Sequence, residues 1–416
     1  MLLPFVNRAA MERGGQAGAR VLSQVFSLFL ITYVIVAGVL AVFAPLYVPY
    51  LFPGFTEQSE ELTLLLRILL VQPFLLGLSS LCGVVTQMNH RFVLFAISPL
   101  LYNLGIIAGI ALFYPLFGMV GLVCGVVLGA LGHLLIQIPF VKRSEFAFTL
   151  VKDIDWKLIT TVLAVSVPRA LTLSINQIVI LILIGMASFM AIGSVSVFQF
   201  AFNLQSVPLA IIGMSYSIAA FPALSRLHAK EDQVGFNRQL LTALRHIIFW
   251  SVPIIGLVIV LRAQIVRVLL GSGAFDWSDT RLTAAMLAIF VVSLFAQAAL
   301  LLLIRAFYAG GKTMIPFVVA LASGLCSIAL AFVFRDIYFA NPQISEYLQS
   351  VLRLSQVEGS EVLILALAFI SGQCIQLLLL GMISCSIFRI SYRPLVRLGA
   401  ESFVASLAGV GASYVT

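Results

Sequence analysis

Charge is scarce in this chain. Its 24 Lys and Arg and 16 Asp and Glu make up 10% of 416 residues, against 62% hydrophobic residues. With so little polar surface and a mean hydropathy of +1.13, the composition fits neither a soluble domain nor a disordered tail. Cysteine is sparse as well: Cys82, Cys124, Cys326, Cys374 and Cys385 all fall in apolar stretches and form no Cys-x-x-Cys pair. They read as small interior residues, with no disulfide or metal role. His90, His133, His228 and His246 stand on separate segments without metal-ligand spacing. No carboxylate pair lies inside an apolar run and no glycine-rich phosphate loop occurs, which argues against an enzyme, against ATP hydrolysis by this chain and against any cofactor. A cleavable signal is not expected either, because the first apolar run starts only after the polar residues 7–20.

What the chain has instead is eleven long apolar runs: 22–52, 61–88, 92–114, 118–141, 158–188, 193–224, 236–270, 282–307, 314–334, 362–388 and one from 395 onward. Each is about 20 residues or longer, the length that crosses about 30 Å of hydrocarbon. Of the 24 basic residues, 17 fall in every second loop: residues 8–20, Arg91, 142–157, 226–245, 305–312 and 389–397. The intervening loops are short and apolar or acidic, with Glu57, Glu60, Glu61, Asp276, Asp279, Asp336, Glu346, Glu358 and Glu361. Basic loops stay on the cytoplasmic side, so the amino terminus is expected there. The fold class is therefore all-α, a polytopic helical membrane protein. Its net charge of +8 is accounted for by orientation, and no nucleic-acid partner is expected.

Three features concern architecture. Gly121, Gly125 and Gly129 share one helix face and invite close approach of a neighbouring backbone. Phe55, Leu62 and Thr63 return as Phe275, Leu282 and Thr283 at a constant offset of 220, as does the cytoplasmic turn 89–91 at 309–311. The copies lie six spans apart and so run the same way through the membrane, an arrangement found in transporters. In the longest outer loop, 341–361, Ile344, Leu348, Val351, Leu352 and Leu354 recur at helical spacing. That loop is read either as an amphipathic helix on the outer surface or as an ordinary loop helix.

A polar side chain at mid-bilayer is expensive unless it meets a cavity or a partner. Arg169 lies about 18 Å into its span at the helical rise, close to the midplane. Pro168 precedes it, Asn176 and Gln177 follow, and no acid lies in any fully apolar span. A permanent guanidinium so placed calls for water or an anionic ligand, and its fork suits phosphate; the alternative is donation to carbonyls loosened by Pro168. In the next span Ser196, Gln199, Asn203 and Ser206 share a face before Pro208, a stripe that lines a hydrophilic cavity or glues helices together. Arg67, near the outer end of its span, is read either as a snorkelling residue or as a gate.

Several segments together resemble the MurJ/MviN family of lipid II flippases, in the MOP exporter superfamily. They are Pro53-Gly54-Phe55, Asn89-His90-Arg91-Phe92, Pro99 with Asn103, Pro168-Arg169 with Asn176-Gln177, Gly193-Ser194-Val195-Ser196, Phe221-Pro222-Ala223-Leu224-Ser225 and Arg305-Ala306-Phe307-Tyr308-Ala309 with Lys312-Thr313 and Pro316. The resemblance runs over nearly the whole chain. It implies two six-helix lobes in a V around a cavity, and alternating access that carries an undecaprenyl-pyrophosphate-linked disaccharide-pentapeptide across the bacterial cytoplasmic membrane. The chain resembles a member that begins at the end of the second of fourteen helices and stops within the thirteenth. Its expected parts are a cytoplasmic tail, 1–20; a four-helix partial lobe, 21–145; a six-helix lobe, 146–390; and a partial helix, 391–416. Many members carry Asp-Arg where this sequence has Phe202-Asn203.

The resemblance makes Arg169, Asn176, Gln177, Ser196, Gln199 and Asn203 the expected substrate-binding residues. Arg67, Arg305 and Lys312 are expected as gate or headgroup contacts. The expected partners are a polyprenyl-pyrophosphate-linked sugar and membrane lipids, with the coupling ion open. Two alternatives stand beside lipid II transport: export of another polysaccharide-lipid by the same superfamily, and a truncated scaffold that transports nothing.

Overall fold

The computed structural model describes residues 3–406 apart from His90, Lys152, Ala274, Ser355, Gln356, Arg393, Pro394, Val396 and Ala400. The side chains of Leu3, Pro4, Asn7, Arg8, Arg13, Phe92, Phe95, Val165 and Arg169 also lie outside the described residues. Within them there is no strand, as expected for a chain that must satisfy its backbone inside each segment while surrounded by lipid. The helices are α1 (Leu3–Arg13), α2 (Gly15–Leu51), α3 (Ser59–Leu69), α4 (Val71–Met88), α5 (Phe92–Ala108), α6 (Tyr114–Leu135), α7 (Ile138–Lys142) and α8 (Trp156–Ala187). After them come α9 (Ser194–Leu209), α10 (Ser215–Ala229), α11 (Gln233–Leu270), α12 (Trp277–Val292), α13 (Leu294–Ala309), α14 (Met314–Ala340), α15 (Pro342–Leu352) and α16 (Leu363–Phe388). In the eleventh expected run, Leu395 and residues 397–399 and 401–406 are helical, and the rest of the run lies outside the described residues.

Among the described residues, eight segments are long and apolar enough to cross a bilayer, and the bent pair α12–α13 makes a ninth. One of the eight, Ala96–Lys142, has 47 residues, about 70 Å of helix and more than twice the hydrocarbon thickness. It is a hairpin. A Cβ built on Gly105 would sit 2.2 Å from Gly129, one on Gly125 2.2 Å from Gly109, and one on Gly121 2.2 Å from Phe113. These pairs are symmetric about residue 117, next to Gly118 with its φ of +60°. The glycines singled out in the sequence therefore join α5 to α6 back to back, at a distance no side chain permits.

The chain divides into two units, Met1–Val167 and Pro168–Thr416, with the division inside α8. Both units use the same succession of elements, which extends the repeat seen in the sequence. A long helix (α2, α11) leads through a short loop into an interrupted helix (α3–α4, α12–α13), and a hairpin (α5–α6, α14–α16) follows. Thr63 and Thr283, one repeat apart, are both buried. Each expected span at this place is thus one apolar segment whose helix is interrupted part-way. In unit 1 the break falls at Leu70, just ahead of Pro73, and the Tyr33 hydroxyl donates to the Leu70 carbonyl. In unit 2 the axis bends by 44° at Ser293, whose hydroxyl donates back to the Phe290 carbonyl at 2.8 Å. The second hairpin is also close-packed: a Cβ on Gly372 would lie 2.6 Å from that of Ser327, and the Ser327 hydroxyl donates to the Ala368 carbonyl at 3.1 Å.

The two interiors differ in content. Unit 1 gathers Val6, Leu22, Cys82, Val85, Leu134 and Val141. Unit 2 is richer in rings: Phe198, Phe202, Phe290 and Phe369 pack with centroids 5.3–6.3 Å apart. A second group holds Phe388 at 5.0 Å from Phe236 and 5.1 Å from Phe307. Edge-to-face rings add to dispersion where lipid supplies no hydrophobic drive.

Candidate functional site

The helix α9 begins after Gly193, whose φ of +92° turns the chain in from the preceding loop. Its heptad-scale geometry then separates two flanks. Ser194, Val197, Phe198, Ala201 and Gln205 are buried in unit 2. Ser196, Asn203 and Ser206 are exposed and Gln199 is half-buried on the opposite flank. The two amides Gln205 and Gln297 exchange hydrogen bonds at 3.4 and 3.1 Å, and Gln297 also donates to Ser293 Oγ at 2.8 Å. Gln205 is the interhelical bond, to the bent helix pair, while the stripe turns away from the core. Among the described residues, none of the side chains of Ser196, Gln199 and Asn203 hydrogen-bonds to protein. Below the stripe, Pro208 gives way to a π-helical turn, Ala210–Met214, a form that recurs where helices carry function.

Phe202 occupies the place where the resemblance implies an acid. Its ring stacks on Phe198 and meets Phe290 and Phe369 edge-on, which makes it part of the unit's interior. Asn203 alone of that pair faces outward.

In α8, Arg169 lies one residue past Pro168, and its side chain is outside the described residues. Thr172 is buried and donates to the Pro168 carbonyl at 2.7 Å. Asn176 is half-buried and Gln177 exposed, so the two diverge around the helix as neighbours must and do not form one surface.

Arg67 has a defined structural partner. Its Nε donates to the Ala41 carbonyl of α2 at 2.9 Å. Ala41 lies four residues before Pro45, which has no N–H to give, so the guanidinium satisfies a carbonyl that its own helix leaves open. Arg305 is half-buried ahead of the last turn of α13, and Lys312 is exposed in the turn after the helix. At the same end of unit 2, Gln233 and Asn237 donate to the terminal carbonyl of α16, that of Phe388, at 3.1 and 2.9 Å.

A further polar site appears in unit 1 that the sequence pattern did not single out. A cavity of about 930 Å³ is lined by Glu12, Arg20, Gln24, Asp153 and Lys157 among others. The loop before α8 is stitched along α2, because Thr149 N donates to Ser23 Oγ at 3.1 Å and Val151 N to Ser27 Oγ at 2.9 Å. Asp155 caps α8 by accepting from the backbone of Lys157 and Leu158 at 3.1 and 3.2 Å. Gln24 is only 3% exposed, and its Oε1 has no hydrogen-bond partner among the described residues. The signal was present as charges in two basic loops, but there they served to set topology.

The family model described as lipid II flippase MurJ matches residues 1–345. The chain belongs to this family. A probable lipid II flippase MurJ of Rickettsia prowazekii is 25% identical over 72% of this chain and 60% of its own length. One of Thermotoga maritima is 30% identical over 59% of this chain and 49% of its own. The chain thus spans about half to three fifths of these curated MurJ relatives. The solved structure of lipid II flippase MurJ in an inward closed conformation aligns with a TM-score of 0.76 and 22% identity, covering 99% of this chain and 80% of that one. An inward-facing multidrug resistance MATE transporter of the MOP superfamily aligns at 0.65 and 15%, over 93% and 86%. The family match and the likeness to these structures show a multi-span helical membrane protein of the MOP-type fold.

Proposed function

We propose that the chain takes part in moving a polyprenyl-pyrophosphate-linked peptidoglycan precursor, lipid II in the family's description, across the bacterial cytoplasmic membrane by alternating access. The observation that carries this reading is the open flank of α9. Ser196, Gln199 and Asn203 lie on the flank of a membrane-spanning helix turned from the unit 2 core, and their side chains have no hydrogen-bond partner among the described residues. An amide so placed needs water or a polar passenger, since contact with acyl chains costs several kcal/mol. On this reading the stripe wets the headgroup's path while the polyprenyl tail stays in lipid.

Arg169, with Asn176 and Gln177 on the same helix, is the proposed partner for the pyrophosphate, supported by its mid-span position in a sequence whose apolar runs hold acids only near their ends. Lys312 and Arg305 meet lipid headgroups at the cytoplasmic end. The charged cavity of unit 1 suits a headgroup that carries both amines and carboxylates. Arg67 acts on architecture, through Ala41. The amino terminus is cytoplasmic, supported by the 17 basic residues in alternate loops. Transport rather than catalysis is the activity, driven by an ion gradient or the membrane potential.

The test is rescue of a flippase-depleted bacterium by the chain, with protein levels in the membrane followed in parallel. Rescue is expected, with loss in Arg169→Ala and in the double variant Gln199→Leu/Asn203→Leu at normal levels. Rescue by these variants at the parental level would remove the proposed site. A second reading, a scaffold without transport, draws on Phe202, which fills an interior position where the resemblance implies an acid. Normal insertion of the parent chain without any rescue would favour it.

A further inference from the structure

The helix α15 follows α14 with only Asn341 between them, so it begins where a membrane-crossing helix of 27 residues ends. Its 11 residues span about 16 Å, far too little to cross on its own. It is also held in a fixed rotation. Gln349 Nε2 donates to Ser360 Oγ at 2.9 Å and to Tyr338 Oη at 3.3 Å, while Tyr338 and Ser360 are bonded to each other at 2.8 Å. After the helix, Arg353 turns the chain with φ of +58°, and Arg281 of α12 donates to its carbonyl.

With that rotation set, the helix shows two different free sides. Ile344, Tyr347 and Val351, at helical spacing with half-buried Leu348 among them, are 47%, 72% and 57% exposed. Gln343, Glu346 and Ser350 are exposed on the other side. A fully water-bathed surface loop gains nothing from such a stripe, whereas a helix lying at the bilayer's edge needs one apolar and one polar flank. Phe339 and Tyr347 add exposed rings at the same level, where amphipathic aromatics collect in membrane proteins.

We infer that α15 is an interfacial helix: its Ile344–Tyr347–Val351 flank rests in the headgroup and upper acyl zone of the lipid on the face where α14 ends, and Gln343, Glu346 and Ser350 face water. The partner is the lipid surface itself, on the ground that the flank continues directly from the membrane-crossing α14. The Gln349–Tyr338–Ser360 node holds the helix at that depth. The inference does not depend on the transport reading or on which side of the membrane is outer.

The test places a tryptophan at one position of the full chain at a time, in nanodiscs that leave both membrane faces accessible. Fluorescence is compared with the parent, whose Trp156, Trp250 and Trp277 supply a constant background. With lipids brominated at shallow acyl positions, the added signal of Tyr347→Trp and of Ile344→Trp is expected to fall by at least half. That of Glu346→Trp stays unchanged. Equal quenching at 344, 346 and 347, or none at any of them, would overturn the inference. So would quenching of Tyr347→Trp that appears only at a high lipid-to-protein ratio, since a second copy of the chain would then be the occupant. Transport activity plays no part in the readout, so failure here leaves the flippase reading untouched.

Discussion

Two flanks of a single helix, α9, treat the same chemistry in opposite ways. On one, Gln205 is 1% exposed and bonded to Gln297 beside the bend at Ser293. On the other, Gln199 and Asn203 carry the same type of group with no hydrogen-bond partner among the described residues. The first flank shows what a polar residue does when it serves the fold in lipid: it is paired and buried. The second lacks every sign of that service. Polarity without a hydrogen-bond partner among the described residues is what supports the proposed water-lined path, and it distinguishes this flank from helix-packing glue more sharply than composition does.

The contrast gives a ranked series of substitutions, all read by thermal unfolding in detergent beside transport in cells. Phe202→Asp, which drives a carboxylate into the ring cluster, is expected to cost about 3 kcal/mol or more and to abolish folded yield. A stable Phe202→Asp protein would mean that the cluster flank is wetter than its packing implies. Next, Gln205→Leu is expected to cost about 1–2 kcal/mol by orphaning Gln297, with at least half regained in Gln205→Leu/Gln297→Leu. If the double variant were no better than the single, the pair would not be the unit of stability. The double variant Gln199→Leu/Asn203→Leu should lie within about 0.5 kcal/mol of the parent while transport falls by about tenfold or more. An unfolding shift as large as that of Gln205→Leu would erase the distinction between the flanks. Ser196→Ala is the mildest, with unchanged stability and about twofold slower transport at most.

The sequence carried the membrane class, the alternating loops and the glycine face, because hydrophobic length and charge placement act residue by residue. It also carried the stripe Ser196–Gln199–Asn203, which helical spacing defines. The break at Leu70 follows from Pro73, yet the bend at Ser293 has no proline and depends on a serine hydroxyl turned to Phe290 that also accepts from Gln297, itself paired with Gln205 of another helix. Arg67 was legible only in part: Pro45 announces an open carbonyl at Ala41, but the arginine that fills it is 26 residues away and joins it through packing. The unit 1 cavity needed Ser23 and Ser27 to draw Thr149 and Val151 onto α2, a contact across more than 120 positions that no local pattern encodes.

Water on the open flank of α9 is measured most directly by thiol chemistry in proteoliposomes. A small, charged, membrane-impermeant thiol reagent should modify Asn203→Cys well above the background of the parent's five cysteines, and Gln205→Cys not at all until the protein is denatured. Equal protection of both positions would mean that the Asn203 flank faces lipid or sealed protein, and would contradict the account.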